Sequence, residues 1–267
     1  IWYPVGPTTV QCQAGAELIV NINASPFHAG KRAFREDMIA QRALENGLTV
    51  AYVNTVGGQD ELVFDGSSII CNNTGGLVAR GPAFQEWLLI TDLEFPDPAA
   101  KPSRTRLSAE AAAVGTAKNA TVSEVALNSR PPLADQPMSD GMDGPEEVYR
   151  ALVMGTGDYL RKSGFTKALI GLSGGIDSAL TATVAVDALG KDNVVGITMP
   201  SRYSSEGSIS DSKKLAENLG LDLWEVPIEP AHQAFTDMLA ERFKGTEANV
   251  AEENVQARVR GNVLMTV

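Results

Sequence analysis

The sequence predicts an α/β protein built in two parts, the second of them a doubly wound parallel sheet. Three observations carry this. Short apolar runs alternate with amphipathic stretches over residues 1–95. A proline-rich stretch then breaks the alternation. Beyond it, residues 167–228 read strand, helix, strand, helix, strand, the pattern of parallel strands joined by helical crossovers.

Taken in order, residues 17–23 form a brief apolar run of the kind a buried strand gives, and Cys12 lies before it within an apparent helix. Residues 31–46 carry Phe34, Met38, Ala43 and Leu44 near helical spacing among charges, and Gly47 stands where a helix C-cap glycine belongs. Residues 49–54 are again strand-like and stop at Gly57-Gly58. Residues 62–64 and 67–71 suggest paired strands about a turn at Asp65-Gly66, with Cys71 ending the second, and residues 87–93 suggest one strand more.

Pro98, Pro102, Pro131, Pro132 and Pro137 mark residues 97–142 as a partly ordered linker, with a weak helix expected in the small-residue stretch 109–120. The expected division is therefore a first domain over 1–96, the linker over 97–142, and a second domain over 143–267. In the second, residues 146–162 place Val148, Leu152, Val153, Tyr159 and Leu160 roughly on one side of a helix. Strands at 167–172, 193–199 and 222–228 and helices at 179–189 and 208–219 follow.

Of the 267 residues, 22 are basic and 33 acidic, a net charge of −11, which argues against a general binder of nucleic-acid backbones. Any polyanion bound here should be small and held in a local pocket. No apolar run is long enough to span a bilayer, so no membrane partner is expected. Two cysteines are too few for a disulfide scaffold and fit a reducing, cytoplasmic setting, with Cys12 and Cys71 as small core residues. His28 and His232 lie too far apart for a metal site of known spacing and read as a loop hydrogen-bonder and a helix-start residue. The Trp and Tyr residues read as core or interface. The chain opens on Ile1-Trp2-Tyr3-Pro4 and ends on Leu264-Met265-Thr266-Val267 inside an expected helix, so it reads as an internal piece.

The sharpest motif is Ser173-Gly174-Gly175-Ile176-Asp177-Ser178, where a strand ends and a helix begins. Backbone N–H groups at such a helix start are unpaired and sit at the positive end of its dipole. Two glycines allow close approach of an anion and two serines add hydroxyls, which together make a cradle for phosphate or pyrophosphate. A carboxylate repels phosphate, so Asp177 makes sense there if Mg²⁺ bridges the two. No Gly-Lys-Ser/Thr follows, so the loop is not of the Walker type.

This loop resembles the pyrophosphate loop, S-G-G-x-D-S, of the ATP-pyrophosphatase superfamily, in a Rossmann-like sheet of the adenine nucleotide alpha hydrolase type. Gly171 and Leu172 lead into it. Residues 199–206, Met-Pro-Ser-Arg-Tyr-Ser-Ser-Glu, look like the segment of NAD synthetases in which Met199, Pro200 and Ser201 would line the adenosine pocket. Residues 254–261 are similar to that family's helix beside the dinucleotide substrate, implying roles for Asn254, Arg258 and Arg260. The two arginines, two positions apart, cannot both face one way. One should meet substrate or phosphate, the other pairing with Glu252 or Glu253, and the residues do not say which.

Residues 23–31 together with 57–66 resemble the C-terminal part of the nitrilase-type glutaminase of glutamine-dependent NAD synthetases, an α-β-β-α sandwich with a Glu-Lys-Cys triad. None of the triad is present, and all three members would lie upstream of Ile1. What carries over is a glutamine-binding role for Ser25 and Lys31, the cation facing the α-carboxylate. The resemblance thus implies ATP-dependent amidation of deamido-NAD⁺ with ammonia from glutamine, through an adenylated intermediate. ATP and Mg²⁺ would be required, glutamine and deamido-NAD⁺ would be the other small-molecule partners, and the intact protein would be a homo-oligomer. Two other readings stand beside it. One is an ATP-pyrophosphatase amidotransferase acting on a purine nucleotide or aspartate, and the other is a non-catalytic scaffold derived from such an enzyme.

Overall fold

A computed structural model describes residues 1–95, 108–125, 131–133, 138–142, 144–242, 244–245 and 250–267, the side chains of 251–253 excepted. The expected partners Glu252 and Glu253, and parts of the expected linker, lie outside the described residues. The chain divides into two compact units, Ile1–Ala151 and Leu152–Val267.

The first unit runs α1 (Pro7–Gln13), β1 (Leu18–Asn23), α2 (Lys31–Asn46), β2 (Thr49–Asn54), β3 (Val56–Gln59), β4 (Leu62–Asp65), β5 (Ile69–Cys71), β6 (Leu77–Arg80) and α3 (Ala109–Val114). The helix α4 (Gly144–Lys162) begins here and continues into the second unit. One mixed sheet has the order β1-β2-β5-β6, with β1 and β2 parallel and the other pairs antiparallel. The parallel pair needs a crossover, and α2 supplies it. Gly47, at φ 59°, ends α2 in the left-handed conformation expected of a C-cap glycine.

The apolar face of α2 differs in detail from the expectation. Met38, Ile39 and Ala43 are buried against Val50, Tyr52, Ile69 and Cys71, whereas Phe34 and Leu44 are exposed. Helical spacing defines a stripe, but where the stripe is centred depends on the sheet that meets it. Arg35 and Arg42 take places on the buried side. Truncating Ile39, fully buried, to Ala would cost about 2–5 kcal/mol.

Two strand expectations are corrected. Residues 62–64 do not pair with 67–71. Instead β4 folds back on β3, Val56 opposite Asp65 and Gln59 opposite Leu62, so Gly57-Gly58 lie inside a strand. The turn is at Asp60-Glu61, with Asp60 at φ 50°, a conformation a short Asp side chain tolerates. Residues 87–93 form no strand. Trp87 and Leu88 are 58% and 80% exposed, and an apolar run becomes a strand only where a neighbour supplies the ladder. Of the expected helix at 109–120 only α3 forms, capped by Ser108, whose hydroxyl accepts the Ala111 N–H at 3.1 Å.

In the second unit β7 (Ala168–Leu172), α5 (Ile176–Leu189), β8 (Val194–Thr198), α6 (Glu206–Leu219) and β9 (Asp222–Glu225) form a parallel sheet of order β7-β8-β9. The helices α7 (Glu229–Leu239) and α8 (Val250–Thr266) follow. Parallel strands covered on both faces read as nearly continuous apolar runs, as β7 and β8 do, whereas β9 at the end of this order carries Asp222 and Glu225 and is largely exposed. Leu172, Val194 and Leu221 pack with Ala182, Ala185 and Ala216 of α5 and α6. On the other face Ile197 and Met199 pack with Ile228 and with Val259 of α8. In α4 the expected apolar side is displaced. Glu147 and Ala151 are buried, while Val148, Leu152 and Tyr159 are exposed.

Candidate active site

The loop predicted to hold phosphate sits at the C-terminal end of β7, where open parallel sheets bind ligands. Its last three residues already belong to α5, which begins at Ile176 rather than at Ala179. The helix start is Gly175, and no side chain caps it. By contrast α6 is closed by Ser205, whose hydroxyl accepts the Ser208 N–H at 3.0 Å. The first turn of α5 is therefore left open for an anion.

The loop is held from within. Ser178 Oγ accepts the Ser173 N–H at 3.2 Å and donates to Gly175 O at 3.0 Å, and Ser173 Oγ accepts the Gly175 N–H at 3.3 Å. Gly174 is required twice over. Its φ of 79° is left-handed, and a Cβ there would stand 2.4 Å from Ser208 O on α6. Asp177 projects from the first turn of α5 and is exposed.

A cleft of about 550 Å³ opens beside this loop. Gly171, Leu172, Ser173, Met199, Pro200 and Arg260 all line it, bringing residues 89 positions apart in sequence to one site (260 − 171). Thr198, Tyr203, Ser204, Ser205, Ser208, Ile209 and Leu264 complete the wall. Ser201, expected with Met199 and Pro200, does not line it; its hydroxyl donates to Gln256 Oε1 at 2.9 Å. Gly174, Gly175 and Ile176 line a second hollow of about 390 Å³ together with Asp211 and Lys214.

The arginine question takes a definite form. Arg260 lines the cleft, with Nε donating to Met199 O and Nη2 to Gln256 Oε1, both at 3.4 Å. Arg258 and Asn254 are exposed and line neither hollow. Gln256, buried between Ser201 and Arg260, went unnoticed in the sequence, where it is one polar residue among many on a helix. The turn after β8 is tied to α7 by Arg202, which donates through its backbone N–H and Nε to Glu229 and through Nη2 to Gln233. These hydrogen bonds hold the Glu229 carboxyl below the usual carboxylate range. His232 lies in the first turn of α7, as a helix-start residue should, buried against Tyr203 with ring centroids 6.2 Å apart.

In the first unit Ser25 and Lys31 occupy the stretch between β1 and α2. Ser25 is buried, its N–H donating to Asn54 Oδ1 at 2.8 Å and its carbonyl accepting from Asn54 Nδ2 at 3.3 Å. Asn54 Nδ2 also approaches Asp65 Oδ1, and Asp65 receives both Nη atoms of Arg35 at 3.1 and 2.5 Å. The buried hydroxyls of Ser25 and Tyr52 have no well-aligned hydrogen-bond partner among the described residues. Burial pushes the Tyr52 phenol up, opposed by the Ser25 hydroxyl and the Arg35 cation. Lys31 Nζ donates to Pro26 O at 3.1 Å and lies 5.6 Å from the centre of the Trp2 ring. Nothing in the sequence singled out Arg35, one cation among several on α2, for this network. Asp65, followed by Gly66, carries the composition of a turn, which hides its place at the end of β4.

Cys12 and Cys71 are both free and buried, and burial pushes the Cys71 thiol up to about 11, so it is no nucleophile near neutral pH. His28 hydrogen-bonds through Nδ1 to Ala29 O, in an exposed loop. Among the described residues no three His, Cys, Asp or Glu side chains gather as a metal site. No described helix is long and apolar enough to cross a membrane.

Comparison with known proteins accounts for both units. The NAD synthase family model matches residues 148–267 and the carbon-nitrogen hydrolase model residues 1–100. Over all of this chain it is 39% identical to a glutamine-dependent NAD(+) synthetase of Thermotoga maritima, and over 99% of it 43% identical to one of Aquifex aeolicus, covering 46% of each relative. The chain thus spans less than half the length of these curated relatives. A glutamine-dependent NAD+ synthetase from Acinetobacter baumannii, solved with ADP, matches 96% of this chain and 42% of its own at a TM-score of 0.73 and 32% identity. One from Cytophaga hutchinsonii shares the fold at a TM-score of 0.70 and 18% identity. A carbon-nitrogen hydrolase match followed by an NAD synthase match, with likeness along the whole chain, makes it similar throughout to rather less than half of a glutamine-dependent NAD(+) synthetase.

Proposed function

We propose that the complete protein carrying this chain amidates deamido-NAD⁺ to NAD⁺ at the expense of ATP, with ammonia taken from glutamine. The observation that carries this reading is the uncapped start of α5 at the Ser173–Ser178 loop, opening beside a cleft lined by Met199, Pro200 and Arg260. The likeness to a synthetase solved with ADP supports ATP as the nucleotide. Residues 1–96 would contribute part of the glutaminase, residues 97–142 the connection, and residues 143–267 part of the synthetase.

In this reading the backbone of residues 173–176 receives the phosphates, and Met199, Pro200 and Ser201 hold the adenosine end. Arg260 lies within the cleft to meet negative charge, while Asn254 and Arg258, outside it, would contact the dinucleotide elsewhere. The nicotinate carboxylate attacks the α-phosphorus and pyrophosphate leaves. Ammonia then adds to the acyl carbon, AMP departs, and the amide remains after loss of a proton. Mg²⁺ would offset phosphate charge during the displacement. One exposed carboxylate, Asp177, fits an ion that takes one or two carboxylates and completes its shell with phosphate oxygens and water. In the first unit the unpartnered Ser25 hydroxyl and the Lys31 cation would receive the amino-acid end of glutamine. Two free buried cysteines accord with a reducing, cytoplasmic setting.

The test is to supply Mg²⁺-ATP, ammonia and, separately, deamido-NAD⁺, xanthosine monophosphate or aspartate to the complete protein, and to quantify AMP, pyrophosphate and amide. AMP and NAD⁺ formed with deamido-NAD⁺ alone, and reduced about 10²-fold or more in Asp177→Ala, are the expected results. AMP formed with another acceptor overturns the substrate, and none with any acceptor overturns the ligase reading.

A further inference from the structure

The helix α2 starts with a conflict. Its first turn holds Lys31 and Arg32, with Arg35 close behind, at the positive end of the helix dipole, and carries no acidic residue. Its N-cap is Gly30, at φ 77°, which has no side chain to cap with. In a capping box the third helical residue is Glu or Gln and reaches back to the N-cap N–H. Here the third residue is Ala33, so nothing local can do so.

The missing acceptor comes from 117 residues away. Glu147, in the first turn of α4, is 4% exposed, and its Oε2 accepts the Gly30 N–H at 3.1 Å. A carboxylate is costly to bury unless its position returns something. Placed here it supplies the N-cap acceptor and a negative charge beside a cationic helix start. It also fixes the residue that begins the helix, Lys31, whose Nζ closes the preceding loop onto Pro26 O.

We propose that Glu147 is a positioning residue for the glutamine-binding stretch 25–31, acting as a distant cap on α2. The proposal rests on the reading of Ser25 and Lys31 as the glutamine contacts. Without the cap the start of α2 frays, and Lys31 no longer stands at a fixed distance from the Ser25 hydroxyl. Binding of glutamine weakens, while ammonia-driven synthesis in the second unit has no need of residues 25–31.

The test compares glutamine with ammonia as nitrogen source in the complete protein, for the wild type, Glu147→Ala and Glu147→Gln. The expected result for Glu147→Ala is a KM for glutamine raised about tenfold, with kcat unchanged and the ammonia-driven reaction retained. Glu147→Gln keeps an acceptor oxygen and loses the charge, so its KM rises less. An unchanged glutamine KM in Glu147→Ala overturns the proposal. So does a parallel fall with both nitrogen sources in both variants, which marks a residue of general architecture. A wild type that makes NAD⁺ from ammonia but not from glutamine overturns the glutaminase reading and the proposal with it, an outcome visible before any variant is made.

Discussion

At the start of α2 the first unit gathers Lys31, Arg32 and Arg35 and gives each an acceptor: Pro26 O, Glu36 and Asp65. At the start of α5 the second unit presents an uncapped turn, an exposed Asp177 and serine hydroxyls that bond only within their own loop. One helix start has its cations paired, by the adjoining loop, by its own helix and by Asp65 from β4, and the other is left open. Pairing holds a loop in place, so its failure should appear first as lost stability. Leaving a helix start uncapped forgoes about 1 kcal/mol of capping and keeps the site free for an anion, so its failure should appear first as lost activity.

The largest effect expected from this contrast is at the paired end. Asp65→Ala leaves the Arg35 guanidinium, 1% exposed, buried without its carboxylate, a change that costs about 3–5 kcal/mol. Urea unfolding of the complete protein should show it as a lower midpoint, and a loss below ~1 kcal/mol would break the contrast on that side.

At the open end, Gly174→Ala must relieve both a left-handed φ and a 2.4 Å approach to Ser208 O. The strain is on the order of 1–3 kcal/mol, and since Ser208 is backbone on α6 the loop must move. AMP formation should fall at least about tenfold, more than the shift in melting temperature would suggest. A variant that loses stability but retains AMP formation would show that the loop need not hold its shape.

The smallest effect is in pH. Burial, and then the nearby Glu36 carboxylate, push Cys71 up to about 11 from 9.0, with Arg80 opposing, and burial likewise raises Tyr52 above 10.0. Each is an acid held neutral by the fold, so its contribution to stability is full below its unfolded pKa and is lost as pH rises through the folded one. Unfolding midpoints should therefore decline between pH 9 and about 11, and Cys71→Ala should flatten the decline. A curve equally steep in Cys71→Ala would assign the decline to Tyr52 or to net charge.

Much of this was legible in the residues themselves. Gly47 marked the end of α2, and the run at 168–172 followed by Ser-Gly-Gly placed a strand, a turn and a helix start in succession. Those signals are local, since a glycine at positive φ or an apolar run of fixed period constrains its own few residues. The hairpin of β3 and β4 was missed because its turn, Asp60-Glu61, has no glycine, whereas Asp65-Gly66 does. Residues 87–93 had a strand's composition and no ladder to join.

By itself the sequence determined the order of elements in the second unit, the place of the Ser173–Ser178 loop at a strand–helix junction and the family that the chain resembles. The tertiary structure alone decided that Arg260 rather than Arg258 faces the cleft, that Gln256 stands between Ser201 and Arg260, and that Glu147 caps α2 from 117 residues away. The reason is physical. Propensity, capping and periodicity act over a few residues along the chain. The direction of a charged side chain depends on which distant groups come within about 3 Å once the sheets have packed.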